Sequence, residues 1–210
     1  MKKDLIIYIA HIDDFECACY GYVLNHHHEY NQIKIITATT WPAKIKVWEE
    51  NKNDFPQDIQ DKLVDINLGY EARTLWKNLD DMKDDFYKLM DFSSRFDLLT
   101  HDKEDCHTDH TACFTISKGM FKYCNRFITM YSPSSAGLNP NFFVGMSKEQ
   151  YNIKKKALDK YDIQKEQSYT KLGYYLQSEE HYNIGRAHVL ENYVFDDYPH
   201  YEIYKIMKWL

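Results

Sequence analysis

No glycine-rich phosphate loop occurs anywhere in this chain of 210 residues, which holds only seven glycines. Without such a loop to present backbone amides to phosphates, a nucleotide-dependent Rossmann enzyme is disfavoured. Long apolar runs are missing too. Met1-Lys2-Lys3-Asp4 is followed by only six apolar residues before His11, too few for a signal-peptide core and far too few for a bilayer span. The chain is therefore expected to work in the cytoplasm without a membrane segment. Basic charge is in deficit: the formal net charge is -6 and the Lys and Arg residues are interspersed with acids, so no nucleic-acid-binding face is expected. The five cysteines, Cys17, Cys19, Cys106, Cys113 and Cys124, form no Cys-x-x-Cys pair and are odd in number, which reads as reduced, mostly buried thiols. No internal repeat or low-complexity linker divides the chain, so residues 1–210 are expected to form a single domain with one sizeable core.

What is present begins with a strand signal. Leu5-Ile6-Ile7-Tyr8-Ile9 runs into Ala10-His11-Ile12-Asp13-Asp14, and a helix-length segment from Asp14 to Tyr30 follows, with Asp13 or Asp14 placed to cap it. Lys34 to Thr40 reads as a second strand, so the first forty residues have the spacing of a βαβ unit in a parallel sheet. The run His26-His27-His28 cannot converge on one ion, because consecutive helical positions point about 100° apart; it reads as a solvated helix end. Lys44 to Lys52 gives a turn or two of helix, Pro56 to Asn67 a better helix closed by Leu68-Gly69, Glu71 to Trp76 a third strand, and Asp80 to Ser94 an amphipathic helix.

A second strand-to-helix junction follows. Phe96 to Thr100 is a short strand leading directly into His101-Asp102-Lys103-Glu104-Asp105-Cys106-His107-Thr108-Asp109-His110, with three histidines and four acids in ten residues. Thr111 to Cys124 has helical length, so His107, Asp109 and His110 fall on its first turn, and His107 and His110, three apart, share one side. In an open parallel sheet both junctions face the same rim, where ligands collect. His11, Asp14 and His110 then supply two imidazoles and one carboxylate, the composition of a catalytic zinc centre with a position open for water. Asp13 is left beside the ligands as a general base for the water that the zinc activates, His107 as a donor of a hydrogen bond or a proton to the oxyanion and leaving group, and Asp109 as an acid that either orients His107 or backs a metal ligand.

These two segments carry a resemblance. Ala10-His11-Ile12-Asp13-Asp14 is similar to the Ala-His-Pro-Asp-Asp-Glu signature of the PIG-L/LmbE-like zinc-dependent N-acetylglucosaminyl de-N-acetylases, and His107-Thr108-Asp109-His110 to their His-Pro-Asp-His. Tyr131 to Ser135, Asn139 to Val144, Ser147 to Gln164, Gly185-Arg186 and Glu191 to Phe195 resemble later family segments in the correct order. The resemblance implies a Rossmann-like three-layer α/β fold, with a mostly parallel sheet, helices on both faces and the active site at the carboxyl ends of the strands. It also implies metal-dependent removal of an N-acetyl group from a small-molecule amino-sugar substrate. One Zn2+ ion is implied, with Fe2+ or another divalent ion as the alternative, held by His11, Asp14 and His110; Asp13 matches the base, His107 the oxyanion donor and Asp109 the acid between the histidines. His101, Ser134, Ser135 and Arg186 are the candidate substrate contacts. Rival readings are hydrolysis of another N-acyl group on a nucleotide-linked or antibiotic-like sugar, and a non-catalytic metal- or partner-binding protein. Three departures stand out: Ile12 and Thr108 replace prolines, and Phe15 replaces the Glu of the signature. The family's substrate-binding Arg is also absent from the segment before Leu68-Gly69, where Lys62 is the only cation between Pro56 and Asn67.

Overall fold

The computed structural model describes residues 3–135, 137, 139–162, 183 and 200–208. Its first strand, β1 (Lys3–Ile9), is apolar almost throughout because both of its faces are covered. Leu5, Ile7 and Ile9 enter one core cluster, while Ile6, Tyr8 and Ala10 enter the other. One side is packed by α1 (Asp13–Ala18), α2 (Tyr20–His26), α3 (Pro42–Lys52) and α7 (Lys148–Asp162); the other by α5 (Leu79–Lys88) and α6 (Thr108–Ser117). A short α4 (Gln57–Gln60) precedes the third strand.

The sheet contains β2 (Tyr30–Thr39), β3 (Leu63–Tyr70), β4 (Phe96–His101), β5 (Phe127–Met130), β6 (Phe142–Met146) and β7 (His200–Lys208), in the order β3-β2-β1-β4-β5-β7-β6. Pairing is parallel from β3 through β5, and β7 is antiparallel to both β5 and β6. The expected three-layer, mostly parallel α/β fold is the one observed. The chain winds outward from β1 to β3 and then restarts at β4 on the other side of β1. The order therefore reverses between β1 and β4, which places the ligand crevice of an open α/β sheet at their carboxyl ends.

Several local expectations are corrected. Pro56 to Asn67 is not a helix: one turn, α4, is followed by β3, whose alternating Leu63-Val64-Asp65-Ile66-Asn67-Leu68 pairs along β2 from Ile33↔Leu63 to Thr37↔Asn67. Period-two alternation and a waiting sheet edge outweigh the Pro56 start signal. Gly69 takes φ +83° at the end of that strand instead of closing a helix. Glu71 to Trp76 is not a strand but a loop with a 3-10 turn at Leu75–Lys77.

Asp14 to Tyr30 is not one helix either. The chain breaks at Cys19, and side chains from distant elements fill the break: Glu202 accepts the Gly21 and Tyr22 amides at 2.8 and 2.9 Å, and Lys154 donates to the Cys17 carbonyl at 2.7 Å. These are the free groups that every helix terminus leaves. A side chain at Gly21 would crowd this break, since a Cβ would lie 2.6 Å from the Met146 sulfur and 3.0 Å from the Glu202 carboxyl carbon. No helix among the described residues is long and apolar enough to cross a membrane.

Candidate active site

β1 and β4 run side by side in register, with Tyr8 opposite Thr100, so the segments that follow them meet above the sheet. Two bonds fix the turn out of β1: the Ala10 amide donates to His101 Nε2 at 3.1 Å, and the Ala10 carbonyl accepts the Thr39 hydroxyl at 2.8 Å. Asp13 and Asp14 then open α1, with Asp14 Oδ2 accepting the His11 amide at 2.8 Å. After β4, the Asp105 carboxylate turns the chain by accepting the His107 amide at 2.8 Å, and His107 caps α6 by accepting the Asp109 amide on Nδ1 at 3.2 Å.

His11, Asp14 and His110 come together. Asp14 Oδ1 lies 3.3 Å from His110 Nε2, and Asp14 Oδ2 lies 3.3 Å from His11 Nδ1. The outer nitrogen of each imidazole meets a second carboxylate: His110 Nδ1 is 3.0 Å from Asp105 Oδ2, and His11 Nε2 is 3.2 Å from Asp109 Oδ2. This carboxylate-imidazole pairing aims the inner nitrogens at a common point and raises their basicity, as at histidine metal sites. The donor set therefore fits a divalent ion of the zinc type. Two further sets, His11-His107-Asp109 and His101-Asp105-His110, are also close enough to share an ion. Their carboxylates, Asp109 and Asp105, are the groups that back the outer nitrogens of His11 and His110, so they read as the outer shell of the central set.

The electrostatics agree with a place made for a cation. Burial pulls the His11 pKa down, but the bonds to Asp109 and Asp14 outweigh it and raise it to about 9. For His110 burial likewise opposes, and the Asp14 charge and Asp105 bond raise it to about 10. Burial works against the ionised form of Asp14, yet the His110 charge and the hydrogen bonds of the neighbouring imidazoles hold its carboxyl well below the ordinary range. His107 moves the other way, lowered by burial and by His110 and His11. With Nδ1 accepting the Asp109 amide, its neutral ring carries the proton on Nε2 as a donor.

Asp13 opens α1 beside the ligands, 8% exposed, with Oδ2 2.7 Å from the Lys44 ammonium. Asp109 is fully buried and also accepts the Arg73 amide at 2.6 Å and the Leu75 amide at 3.4 Å. That tie holds the 71–77 loop out of strand geometry and puts Arg73 at φ +68°, a strained conformation for a residue with a side chain. His101 is fully buried and stacks under His110 with ring centroids 3.8 Å apart. Burial and the His110 charge lower its pKa to about 4, so it is a neutral floor under the ligands.

The Ser134 and Ser135 hydroxyls donate to Asp105 at 2.6 and 3.2 Å, joined by Ser132 at 2.5 Å. Arg186 lies outside the described residues. Sequence reasoning missed Asp105, Ser132 and Lys44 as parts of the site. Asp105 stands in the acid-rich segment and Ser132 in the Tyr131 to Ser135 segment, where the sequence singles out only Ser134 and Ser135, but Lys44 falls in no motif and only the tertiary structure brings it in.

The molecule matches solved structures along its length. The N,N'-diacetylchitobiose deacetylase of Pyrococcus horikoshii superposes with a TM-score of 0.66 at 14% identity, covering 98% of this chain and 84% of that one. The zinc-inhibited form of teicoplanin deacetylase superposes at 0.56 and 12%, covering 97% of each chain. GalB of Pseudomonas putida, a 4-carboxy-2-hydroxymuconate hydratase, superposes at 0.63 and 12%, covering 98% of this chain and 96% of that one. No protein-family model and no curated protein matches the sequence. The chain thus has the fold of the LmbE-like deacetylases, at low sequence identity.

Proposed function

We propose that the protein is a metal-dependent hydrolase that removes an N-acetyl group from an amino-sugar-containing small molecule. The observation that carries this reading is the convergence of His11, Asp14 and His110, each imidazole backed by its own carboxylate, beside a further carboxylate, Asp13, and a neutral imidazole, His107. A divalent ion held there, zinc or ferrous iron, would supply Lewis acidity to water and to the amide carbonyl. Asp13 takes the proton of the attacking water as its oxygen bonds to the carbonyl carbon, and returns it to the nitrogen as the C–N bond breaks. His107 Nε2–H donates to the oxyanion in between, and acetate and a free amine leave. Asp109 acts on both partners, with its carboxylate on His11 and its amide on His107. Of the candidate sugar contacts, His101 is engaged with Ala10 and Ser134 and Ser135 with Asp105, which leaves Arg186 as the candidate for holding the sugar.

The amino-sugar substrate is supported by two neighbours in fold that deacetylate chitobiose and teicoplanin. The test is acetate release from a panel of N-acetylated and N-formylated amino sugars, using protein stripped of metal and reloaded with Zn2+ or Fe2+, with a series of excess zinc. Turnover that returns only with metal is expected. GalB shares the fold and is named a hydratase, so the panel also includes conjugated 2-hydroxy acids. Loss of the acid's ultraviolet absorbance without any acetate release would replace the hydrolase reading.

A further inference from the structure

Lys44 is in the wrong place for an ordinary lysine. It is only 7% exposed, and it stands in the first turn of α3, where the helix dipole disfavours a cation and no acid of that turn offsets it. Its ammonium is 2.7 Å from Asp13 Oδ2 and 4.8 Å from the centre of the Trp41 ring. Seven residues further along α3, on the same face, Asn51 donates to Glu16 Oε1 at 2.8 Å. Residues of α3 are therefore bolted to α1 at two points three residues apart, Asp13 and Glu16, on either side of Asp14. Glu16 also accepts the Tyr161 hydroxyl of α7 at 2.9 Å, and Asn51 reaches the Ala157 carbonyl at 3.1 Å, so the α1 turn is gripped from both neighbouring helices.

We propose that Lys44 is the built-in counter-charge of the metal centre: it positions Asp13 and, by offsetting the charge of the paired carboxylates Asp13 and Asp14, sets how tightly the site holds a divalent cation. The second part rests on the metal reading of His11, Asp14 and His110 but not on deacetylation. Adjacent like charges, both 8% exposed, repel one another strongly in a partly dry site, and a protein cation a hydrogen bond away relieves this before any metal arrives. The same cation then competes electrostatically with the incoming ion. Holding one carboxylate oxygen also fixes the orientation in which Asp13 faces the water.

The experiment measures Zn2+ affinity of metal-stripped full-length protein by chelator competition for wild type, Lys44→Met, Asp13→Asn and the double variant. Lys44→Met is expected to bind zinc roughly tenfold more tightly, Asp13→Asn correspondingly more weakly, and the double variant close to wild type. Lys44→Gln serves as the second neutral variant where Lys44→Met does not fold. An unchanged zinc affinity in a folded neutral variant overturns the proposal. On an N-acetyl substrate, Lys44→Met is expected to lower kcat by ten- to a hundredfold at unchanged KM, with Lys44→Arg recovering most of it. A raised KM at unchanged kcat makes Lys44 a substrate contact and overturns the positioning role. If wild type cleaves no N-acyl sugar, the deacetylase reading falls while the zinc measurement still decides the role of Lys44.

Discussion

The two ends of the central strands hold two buried charge clusters of opposite design. At the amino ends of β1, β2, β4 and β5, Asp97 is fully buried and accepts from Arg126 Nε at 2.6 Å, Lys3 at 2.7 Å and the Tyr30 hydroxyl at 2.9 Å. Arg126 continues to Glu29 and to Tyr30, so the cluster closes on cations the chain itself supplies. At the carboxyl ends, Asp13, Asp14, Asp105 and Asp109 crowd around His11 and His110, and the imidazoles are driven toward the charged form to balance them. One end is electrostatically finished. The other balances best with a cation from outside, and this difference separates a closed ion-pair network from a candidate metal site although the carboxylates at the heart of both are buried.

Four substitutions would break or sharpen that contrast. The largest effect is expected from Asp13→Asn, which should lower acetate release by about 10²–10⁴-fold while the metal remains bound; full activity measured beside intact zinc stoichiometry would remove Asp13 as the base. At the opposite end, Arg126→Met leaves Asp97 buried without its guanidinium partner and should cost roughly 3–5 kcal/mol in denaturant unfolding. Zinc stoichiometry should not change, and a variant of normal stability that no longer takes up zinc would show the two clusters are not separate.

Returning to the functional end, Asp105→Ala removes the carboxylate behind His110 and should weaken zinc by about 10–100-fold in chelator competition. Unaltered affinity would mean that Asp105 only shapes the loop. The smallest effect belongs to Ser134→Ala, because Ser132 and Ser135 still donate to Asp105: a loss of about 1 kcal/mol in stability is expected, with KM unchanged. A KM that rises instead would assign Ser134 to sugar binding.

Much of this contrast is visible along the chain on one side only. His11, Asp13 and Asp14 follow an apolar strand directly, and His107, Asp109 and His110 open the helix after another, so both halves of the functional cluster are contiguous in sequence. Its supports are scattered. Lys44 lies thirty-one positions from Asp13, and Ser132 twenty-seven from Asp105, with no periodic signal linking them. The amino-end network is dispersed too, joining Lys3, Glu29, Tyr30, Asp97 and Arg126, each an ordinary surface-type residue when read alone. The misplaced elements have a similar cause: β3 is a strand because β2 offers it hydrogen bonds, and the α1 to α2 break survives because Glu202 and Lys154 satisfy it from more than a hundred residues away.

The sequence by itself determined the parallel α/β class and the two histidine- and aspartate-rich strand-to-helix junctions, because apolar strand runs and short local motifs depend on neighbours a few residues apart. Only the tertiary structure decided that the two junctions leave neighbouring strands, which carboxylate backs which imidazole, and which cation stands against Asp13. Those are contacts between side chains distant in sequence, set by strand order and helix packing, and their energies exist only once the chain has closed around them.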